Sequence, residues 1–317
     1  MDLGVYAPAG YATDPDAVTR AADQLRAMGH RVWIDPAALG RHTRFAGTDD
    51  ERLAAIGRIA ARDDVDVAIA LRGGYGTTRL LERLDYDALA RAGKRWLGHS
   101  DFTAFQCAAL ARAGKRWLGH SDFTAFQCAA LARGGMVTYA GPTFAYDFGA
   151  ETPSAFTLDH CFGLLGGNAY EVACALDGPS RLDVDGVLWG GNLAMVASLA
   201  GTPYLPKVER GILFLEDVAE HPYRVERMLW QLHYAGVLAR QQAILLGAFT
   251  EYALAPNDGG YDLDAAVARI REACPTPIYT GLPFGHVRDK LTLPVGGRLA
   301  LDVRDGAARL AFHDYGR

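Results

Sequence analysis

The chain has 317 residues, half of them hydrophobic and 22% charged, with 32 Lys and Arg against 37 Asp and Glu for a net charge of −5. That length buries one large core or two moderate ones, and the lack of a basic surplus argues against nucleic-acid binding through phosphate neutralisation. The start, MDLGVYAPAGYATDP, has no basic segment leading into an apolar stretch, and no window reaches the roughly 18 apolar residues of a membrane span, so neither secretion nor membrane binding is expected.

In chain order, LGVYAPAGY reads as a strand running into a Gly/Pro loop. DPDAVTRAADQLRAMGH follows as a helix, with Asp14 at the cap, Pro15 in the first turn and Gly29 at the stop. RVWIDP resumes a strand, ERLAAIGRIAARDD is a second amphipathic helix, and VDVAIALRGGYG is an apolar, β-rich run that ends in glycines. This alternation predicts a parallel sheet covered on both faces, with ligands gathered at the carboxyl ends of its strands.

After the strand and loop GMVTYAGPTFAYDFG the pattern changes. A short strand DGVLWGG, a helix in NLAMVASLAG and a strand GILFLED precede helices in HPYRVERMLWQLHYAG and DLDAAVARIREAC. Strands in QAILLGAFT and IYTGLPF come next, and KLTLPVGGRLALDV with AARLAFHD reads as a closing antiparallel pair. The predicted fold class is α/β: an N-terminal flavodoxin-like parallel-sheet domain over 1–150, a linker over 151–165 and a C-terminal mixed α/β domain over 166–317.

Residues 88–108 and 109–129 are one 21-residue block written twice. No other internal period exists, which excludes a solenoid. The two copies are expected to compete for one place in the fold. The surplus copy should then expose Trp, Leu and Phe and lower solubility or stability relative to a chain with one block.

Each block carries WLGHSDFTAF, an apolar strand end, a glycine and then a serine ahead of a helical segment, at Ser100 and Ser121. A nucleophile is presented this way on a sharp strand-to-helix turn, although Ser and Asp are also the preferred helix caps. The adjoining His99 and His120 point to the opposite face of an extended strand and are poor bases for the serine. His286, in the glycine-flanked loop GLPFGH, is the better candidate, and Glu216 ends the apolar strand ILFLED where a carboxylate could orient a histidine. RGGYG, residues 72–76, lacks the Lys-Ser/Thr of a P-loop and reads as an anion cradle or oxyanion donor. In WGGNL, Asn192 is either a helix cap or a substrate contact. Five cysteines show neither CxxC nor a His/Cys cluster of zinc spacing, so the reading is a reducing cytoplasm, no structural metal and no cofactor.

Taken together, RFAGTDDERL, ALRGGYGTTRLL, GHSDFTAFQCAALA, LWGGNLAM, ILFLEDVAEHPYRVERML and GLPFGH resemble the LD-carboxypeptidases, the muramoyltetrapeptide carboxypeptidases of bacterial cell-wall recycling. The resemblance implies a cytoplasmic, homodimeric serine peptidase that releases the terminal D-alanine of murein tetrapeptide. The serine of GHSD would be the nucleophile, His286 the base and Glu216 the residue orienting it. Gly74 and the Asp after the nucleophile would form the oxyanion hole, and Gly73, Tyr75 and Asn192 are expected to contact substrate.

The duplication leaves two numberings, Ser121 with Asp122 or Ser100 with Asp101. The polar loop ARAGKR before the nucleophile strand is the easier place for an insert, which favours Ser121. Copy one leaves the ribosome first, which favours Ser100. A microcin-immunity-like peptidase acting on aminoacyl or peptidyl nucleotides, and a catalytically silent peptide-binding protein, are the alternatives.

Overall fold

The computed structural model describes residues 1–73, 76–98 and 117–316. Two compact units are present, Met1–Phe126 with Thr138–Leu158, and Gln127–Val137 with Asp159–Arg317.

The first unit opens with β1 (Asp2–Tyr6), α1 (Pro15–Ala27), β2 (Arg31–Ile34), α2 (Asp49–Ala61) and β3 (Val67–Ala70). The predicted starts and stops are the ones used. The Asp14 carboxylate accepts the amides of Asp16 and Ala17, Pro15 fills the first turn, and Gly29 leaves α1 at φ +86°. Thr48 and Glu51 close a capping box at the head of α2. Then come α3 (Tyr86–Arg91), β4 (Arg95–Leu97), β5 (Trp117–Gly119), α4 (Phe123–Gly134) and β6 (Thr138–Ala140).

The strands form a parallel sheet in the order β2-β1-β3-β4-β5-β6. This is the flavodoxin order with one strand more. Both faces are covered, so Leu3–Tyr6 and Val67–Ala70 read as unbroken buried runs instead of alternating.

The additional strand comes from the repeat. β4 belongs to the first copy and β5 to the second, and they pair side by side with Trp96 opposite Trp117 and Leu97 opposite Leu118. The expected competition for one place does not occur, because both strands enter the sheet. Nor is the first strand extruded: Trp96 and Trp117 are each 1% exposed. The physical reason is the length of the block. Its second copy supplies a strand, a turn and the start of a helix that runs on to Gly134, and a parallel sheet accepts another strand that finds a partner on each edge.

The second unit holds most of α5 (Ala155–Leu165), then β7 (Tyr170–Ala175), β8 (Arg181–Asn192), α6 (Leu193–Ser198), β9 (Ile212–Val218), α7 (Pro222–Tyr234), β10 (Ala243–Thr250) and α8 (Leu263–Ala273). β11 (Ile278–Thr280), β12 (Leu293–Val295), β13 (Arg298–Arg304) and β14 (Ala307–His313) complete it. Its sheet runs β11-β10-β9-β8-β13-β14-β7. β8 to β11 are parallel, whereas β13 and β14 pair antiparallel with each other and with β8 and β7.

Two segments differ from the sequence reading. The stretch expected as a linker, 151–165, contains α5, which starts where the Ser154 hydroxyl accepts the Thr157 amide at 3.1 Å and buries Leu158, Cys161 and Leu164. The strand expected to be short at DGVLWGG is the 12-residue β8, in which apolar Leu182 and Val184 alternate with acids before the buried run begins.

Because Trp96 is as buried as Trp117, Trp96→Ala and Trp117→Ala should each cost about 3–5 kcal/mol in urea unfolding. A Trp96→Ala chain as stable as the parent would mean that β4 lies outside the sheet.

Candidate active site

In the first unit, β5 ends at Gly119 and α4 begins at Phe123, and the turn between them sets Ser121 at φ +62°. Residues capping a helix keep extended backbone, as Asp14 and Thr48 do at φ −129° and −63°. Ser121 therefore does not have the conformation of a cap. A left-handed non-glycine residue costs about 1–3 kcal/mol and persists where the surroundings hold it, typically at functional sites.

The surroundings here are tight. The Phe123 amide donates to the His120 carbonyl at 3.3 Å and the Thr124 amide to that of Ser121 at 2.9 Å. A Cβ on Gly119 would lie 2.2 Å from the Phe123 ring and 2.7 Å from the Gly98 carbonyl oxygen, so only glycine lets the helix start this close to the strand. The result is a serine on a strained strand-to-helix turn, followed by the Asp122 amide at a helix N-terminus, where developing negative charge is favoured. The block's other nucleophile, Cys128, is fully buried, and burial pushes its thiol up to about 12, which leaves the serine to do chemistry.

β3 leads into the glycine turn RGGYG. Gly74 and Tyr75 lie outside the described residues, as do Ser100 and Asp101. Gly73 is described, and its carbonyl accepts the Gly10 amide at 3.3 Å. On the far side of the turn the Gly76 carbonyl accepts from Arg52 Nη1 at 2.8 Å, and the same nitrogen donates to Pro8 O at 2.7 Å. Arg52 is fully buried and its Nη2 reaches the Asp49 carboxylate at 2.5 Å. This positioning residue was missed in the sequence reading. Its signal was there: Arg52, Ala55, Ile56, Ile59 and Ala60 share the buried face of α2, so one arginine stands at an apolar position.

In the second unit Glu216, near the end of β9, meets His286. The Glu216 Oε2 and His286 Nδ1 atoms are 2.8 Å apart, with the carboxylate side chain 1% exposed and the imidazole 21% exposed. The other carboxylate oxygen, Oε1, is buried with no hydrogen-bond partner among the described residues. A buried carboxylate on Nδ1 fixes the neutral imidazole as the Nδ1–H tautomer, so the lone pair sits on Nε2, and it stabilises the imidazolium once Nε2 takes a proton.

Two glycines make this pair fit, Gly285 of the glycine-flanked loop and Gly247, which the sequence reading did not single out. A Cβ on Gly247 would lie 2.4 Å from the Phe284 carbonyl oxygen and 3.5 Å from Glu216 Cβ. One on Gly285, at φ +135°, would lie 3.0 Å from the Ala248 carbonyl and 3.3 Å from Glu216 Cβ. The loop bearing His286 is tied to β10 through Ala248 N to Phe284 O at 2.8 Å and Thr250 Oγ1 to His286 O at 3.4 Å.

Asn192 sits opposite Glu216 in the β8–β9 pairing. It is the cap of α6: its Oδ1 accepts the Met195 amide at 3.1 Å and its Nδ2 donates to Asp217 Oδ1 at 2.7 Å. Of the two readings open for Asn192, the side chain is thus seen in the capping one. Asp217 also accepts the amides of Ala194 and Val218, yet burial outweighs these donors and raises its pKa.

The profile of the LD-carboxypeptidase N-terminal domain matches residues 3–118, and that of the LD-carboxypeptidase C-terminal domain matches residues 185–301. The chain belongs to the LD-carboxypeptidase family. Membership makes it a hydrolase of the serine carboxypeptidase type. Among solved structures, a muramoyltetrapeptide carboxypeptidase from Oxalobacter formigenes is 42% identical with a TM-score of 0.78, and the match covers 100% of both chains. The murein tetrapeptide carboxypeptidase of Pseudomonas aeruginosa is 30% identical over 311 residues, 95% of this chain and 92% of its own. MccF in complex with glutamyl sulfamoyl guanosine, 21% identical with a TM-score of 0.75 over 99% of this chain and 96% of that one, shares the fold.

Two substitutions probe how the LD-carboxypeptidase site is held. Gly285→Ala should lower stability by about 1–3 kcal/mol and reduce kcat more than it raises KM, since it displaces the base and not a binding surface. Arg52→Met strands the Pro8 and Gly76 carbonyls, at about 1–3 kcal/mol for each acceptor left without a donor. Urea unfolding and steady-state kinetics check both, and wild-type values for either would remove that residue from the account.

Proposed function

We propose that the chain is a serine LD-carboxypeptidase that releases the terminal D-alanine from murein tetrapeptide, L-Ala-γ-D-Glu-meso-diaminopimelate-D-Ala. The observation that carries this reading is Ser121, a non-glycine residue at φ +62° on a strand-to-helix turn. In this role Ser121 Oγ attacks the diaminopimelyl carbonyl while His286 Nε2 accepts its proton, and Glu216 holds the imidazole through Nδ1. The Asp122 amide and an amide of the β3 turn, assigned to Gly74, bind the tetrahedral oxyanion. His286 then protonates the departing D-alanine amine, and water resolves the acyl-enzyme with His286 again as base.

Gly73 and Tyr75 contact the substrate in this reading, and Asn192 acts through Asp217 and the head of α6. The first copy, Ser100 with Asp101, is the alternative nucleophile and oxyanion donor. We also read the protein as a cytoplasmic homodimer. No helix among the described residues is long and apolar enough to cross a membrane, and none of the described cysteines forms a disulfide, which suits a reducing compartment.

Incubation with murein tetrapeptide should release D-alanine. Ser121→Ala and His286→Ala should lower kcat by about 10⁶ and Glu216→Gln by about 10⁴, the sizes seen when members of a catalytic triad are removed singly. Unchanged turnover in Ser121→Ala would move the nucleophile to Ser100. Hydrolysis of an aminoacyl sulfamoyl nucleoside in place of tetrapeptide would favour the microcin-immunity-like reading, and binding of tetrapeptide without turnover would favour a silent binding protein.

A further inference from the structure

At the carboxyl ends of β1 and β3 the first unit holds a cavity of about 240 Å³, lined by Leu71 and Arg72 after β3, by Asp14 and Val18 of the α1 head, and by Tyr146 and Glu151. Its walls are tied to each other. Gln24 of α1 donates from Nε2 to the Ala150 carbonyl at 3.3 Å, the Gly10 amide donates to the Gly73 carbonyl at 3.3 Å, and Arg72 Nη1 donates to the Tyr11 carbonyl at 3.1 Å. An apolar cavity of about 150 Å³ takes a benzene ring, so this one has room for the end of a long side chain.

Four charged side chains line the cavity, and two of them are already engaged. Asp14 caps α1 through the amides of Asp16 and Ala17, and its other oxygen accepts from Arg20 Nη2 at 3.0 Å. Arg72 is half-buried, and its guanidinium has the Tyr11 carbonyl as its one partner among the described residues, one acceptor for five N–H donors. Glu151 is exposed, and its carboxylate has no partner among the described residues, Arg72 included. A guanidinium and a carboxylate that do not pair with each other, in a cavity also lined by Ala12, Ala17, Val18 and Leu71, match a zwitterion carried on an aliphatic stem.

The cavity communicates with the strand that carries the serine. A smaller pocket shares Leu71, Arg72 and Tyr146 with it and reaches Gly98 after β4 and Pro142 after β6. The turns after β4 and β6 grip the end of β5: the Gly98 amide donates to the Leu118 carbonyl at 3.0 Å, and the Gly141 amide to the Gly119 carbonyl at 3.1 Å. β3 and β5 have β4 between them, about 10 Å at the spacing of neighbouring strands. In meso-diaminopimelate the distal carboxylate is six bonds from the carbonyl carbon of the scissile bond, about 7 Å in an extended chain, and a hydrogen bond adds about 3 Å. The terminal D-alanine carboxylate is only three bonds from that carbon, and its nitrogen is part of the scissile amide. The distal diaminopimelyl end, by contrast, carries an ammonium and a carboxylate on one carbon.

We infer that this cavity receives the distal zwitterionic end of the diaminopimelyl side chain, Arg72 taking its carboxylate and Glu151 its ammonium. The assignment rests on the carboxypeptidase reading above. It makes Arg72 a specificity-determining residue, since lysine at the same place in the peptide keeps the ammonium and lacks only the carboxylate.

The test measures D-alanine release from L-Ala-γ-D-Glu-meso-diaminopimelate-D-Ala and from L-Ala-γ-D-Glu-L-Lys-D-Ala. The intact chain should favour the diaminopimelate peptide by about 10–100-fold in kcat/KM, mainly through KM. Arg72→Met should use the two peptides alike. Equal use of both by the intact chain, or a preference that survives Arg72→Met, would overturn the inference. Should Arg72→Met fail to fold, Glu151→Gln at its exposed position still decides: it should weaken both peptides by about 2–5-fold, because both carry the ammonium, and unchanged kinetics would overturn the inference. A tetrapeptide with D-isoglutamine in place of D-Glu tests the other internal carboxylate. A loss of rate with that peptide that Arg72→Met abolishes would give Arg72 to the D-Glu carboxylate and overturn the inference. If no peptide releases D-alanine, the carboxypeptidase reading fails, and calorimetry then tests the cavity by itself: tighter binding of the diaminopimelate peptide than of the lysine peptide, lost in Arg72→Met, sustains the assignment, and equal binding overturns it.

Discussion

Parallel pairing between β4 and β5 is the constraint on which the rest of the first unit depends. A parallel sheet has no sequence-specific lock on how many βα units it contains, provided each strand finds a hydrogen-bonding partner on both sides and each crossover returns to the same end. The 21-residue block meets the first condition, since β4 pairs with β3 and β5, and β5 pairs with β4 and β6. The duplication therefore enlarges the sheet and buries a second Trp-Leu pair in place of an exposed loop. What it changes is neighbourhood. Catalysis at the end of a parallel sheet depends on which loop stands beside which, and the small pocket at this end is lined from the turns after β3, β4 and β6.

The Glu216–His286 pair of the second unit lies outside the repeat and shows a different logic. Glu216 is a buried carboxylate whose described partner is the imidazole of His286, and the space around its Cβ is shared by two glycines on separate segments. The glycines allow the His286 loop to lie directly against β9 and β10, which sets the base by backbone packing and not by a long flexible side chain. Asp217, the next residue along β9, turns to the other side and anchors the Asn192 cap of α6. One strand end thus supplies an acid to the base and another to a helix start, following the alternation of side chains along a strand.

Much of this was legible in the residues. Asp14, Pro15 and Gly29 marked both ends of α1 because caps and stops are local chemistry. The serine turn was visible because a glycine follows its apolar strand, Glu216 because an acid ends one, and His286 because its loop is flanked by glycines. Less could be read where the decisive fact is tertiary. The sequence showed two identical strands but not that a sheet could take both. Arg52 went unremarked in the amphipathic pattern of α2, because an arginine gives no sign of burial until its acceptors, the Pro8 and Gly76 carbonyls, are known. The length of β8 was obscured by Asp183 and Asp185, which alternate with Leu182 and Val184 on the outer part of the strand. The 151–165 segment looked like a linker because its polar head masks the buried spacing of Leu158, Cys161 and Leu164.

Strand adjacency is the central claim, and disulfide closure between cysteines placed at paired positions reads it directly. Neighbouring strands bring Cα atoms within the roughly 4.4–6.8 Å that a disulfide spans, and strands two apart do not. The chain carrying Ile69→Cys with Leu97→Cys should oxidise to a disulfide, and the chain carrying Ile69→Cys with Leu118→Cys should stay reduced, since Ile69 pairs with Leu97 whereas Leu118 pairs with Leu97 and Tyr139. Closure of the Ile69–Leu118 pair would place β5 against β3 and contradict the account.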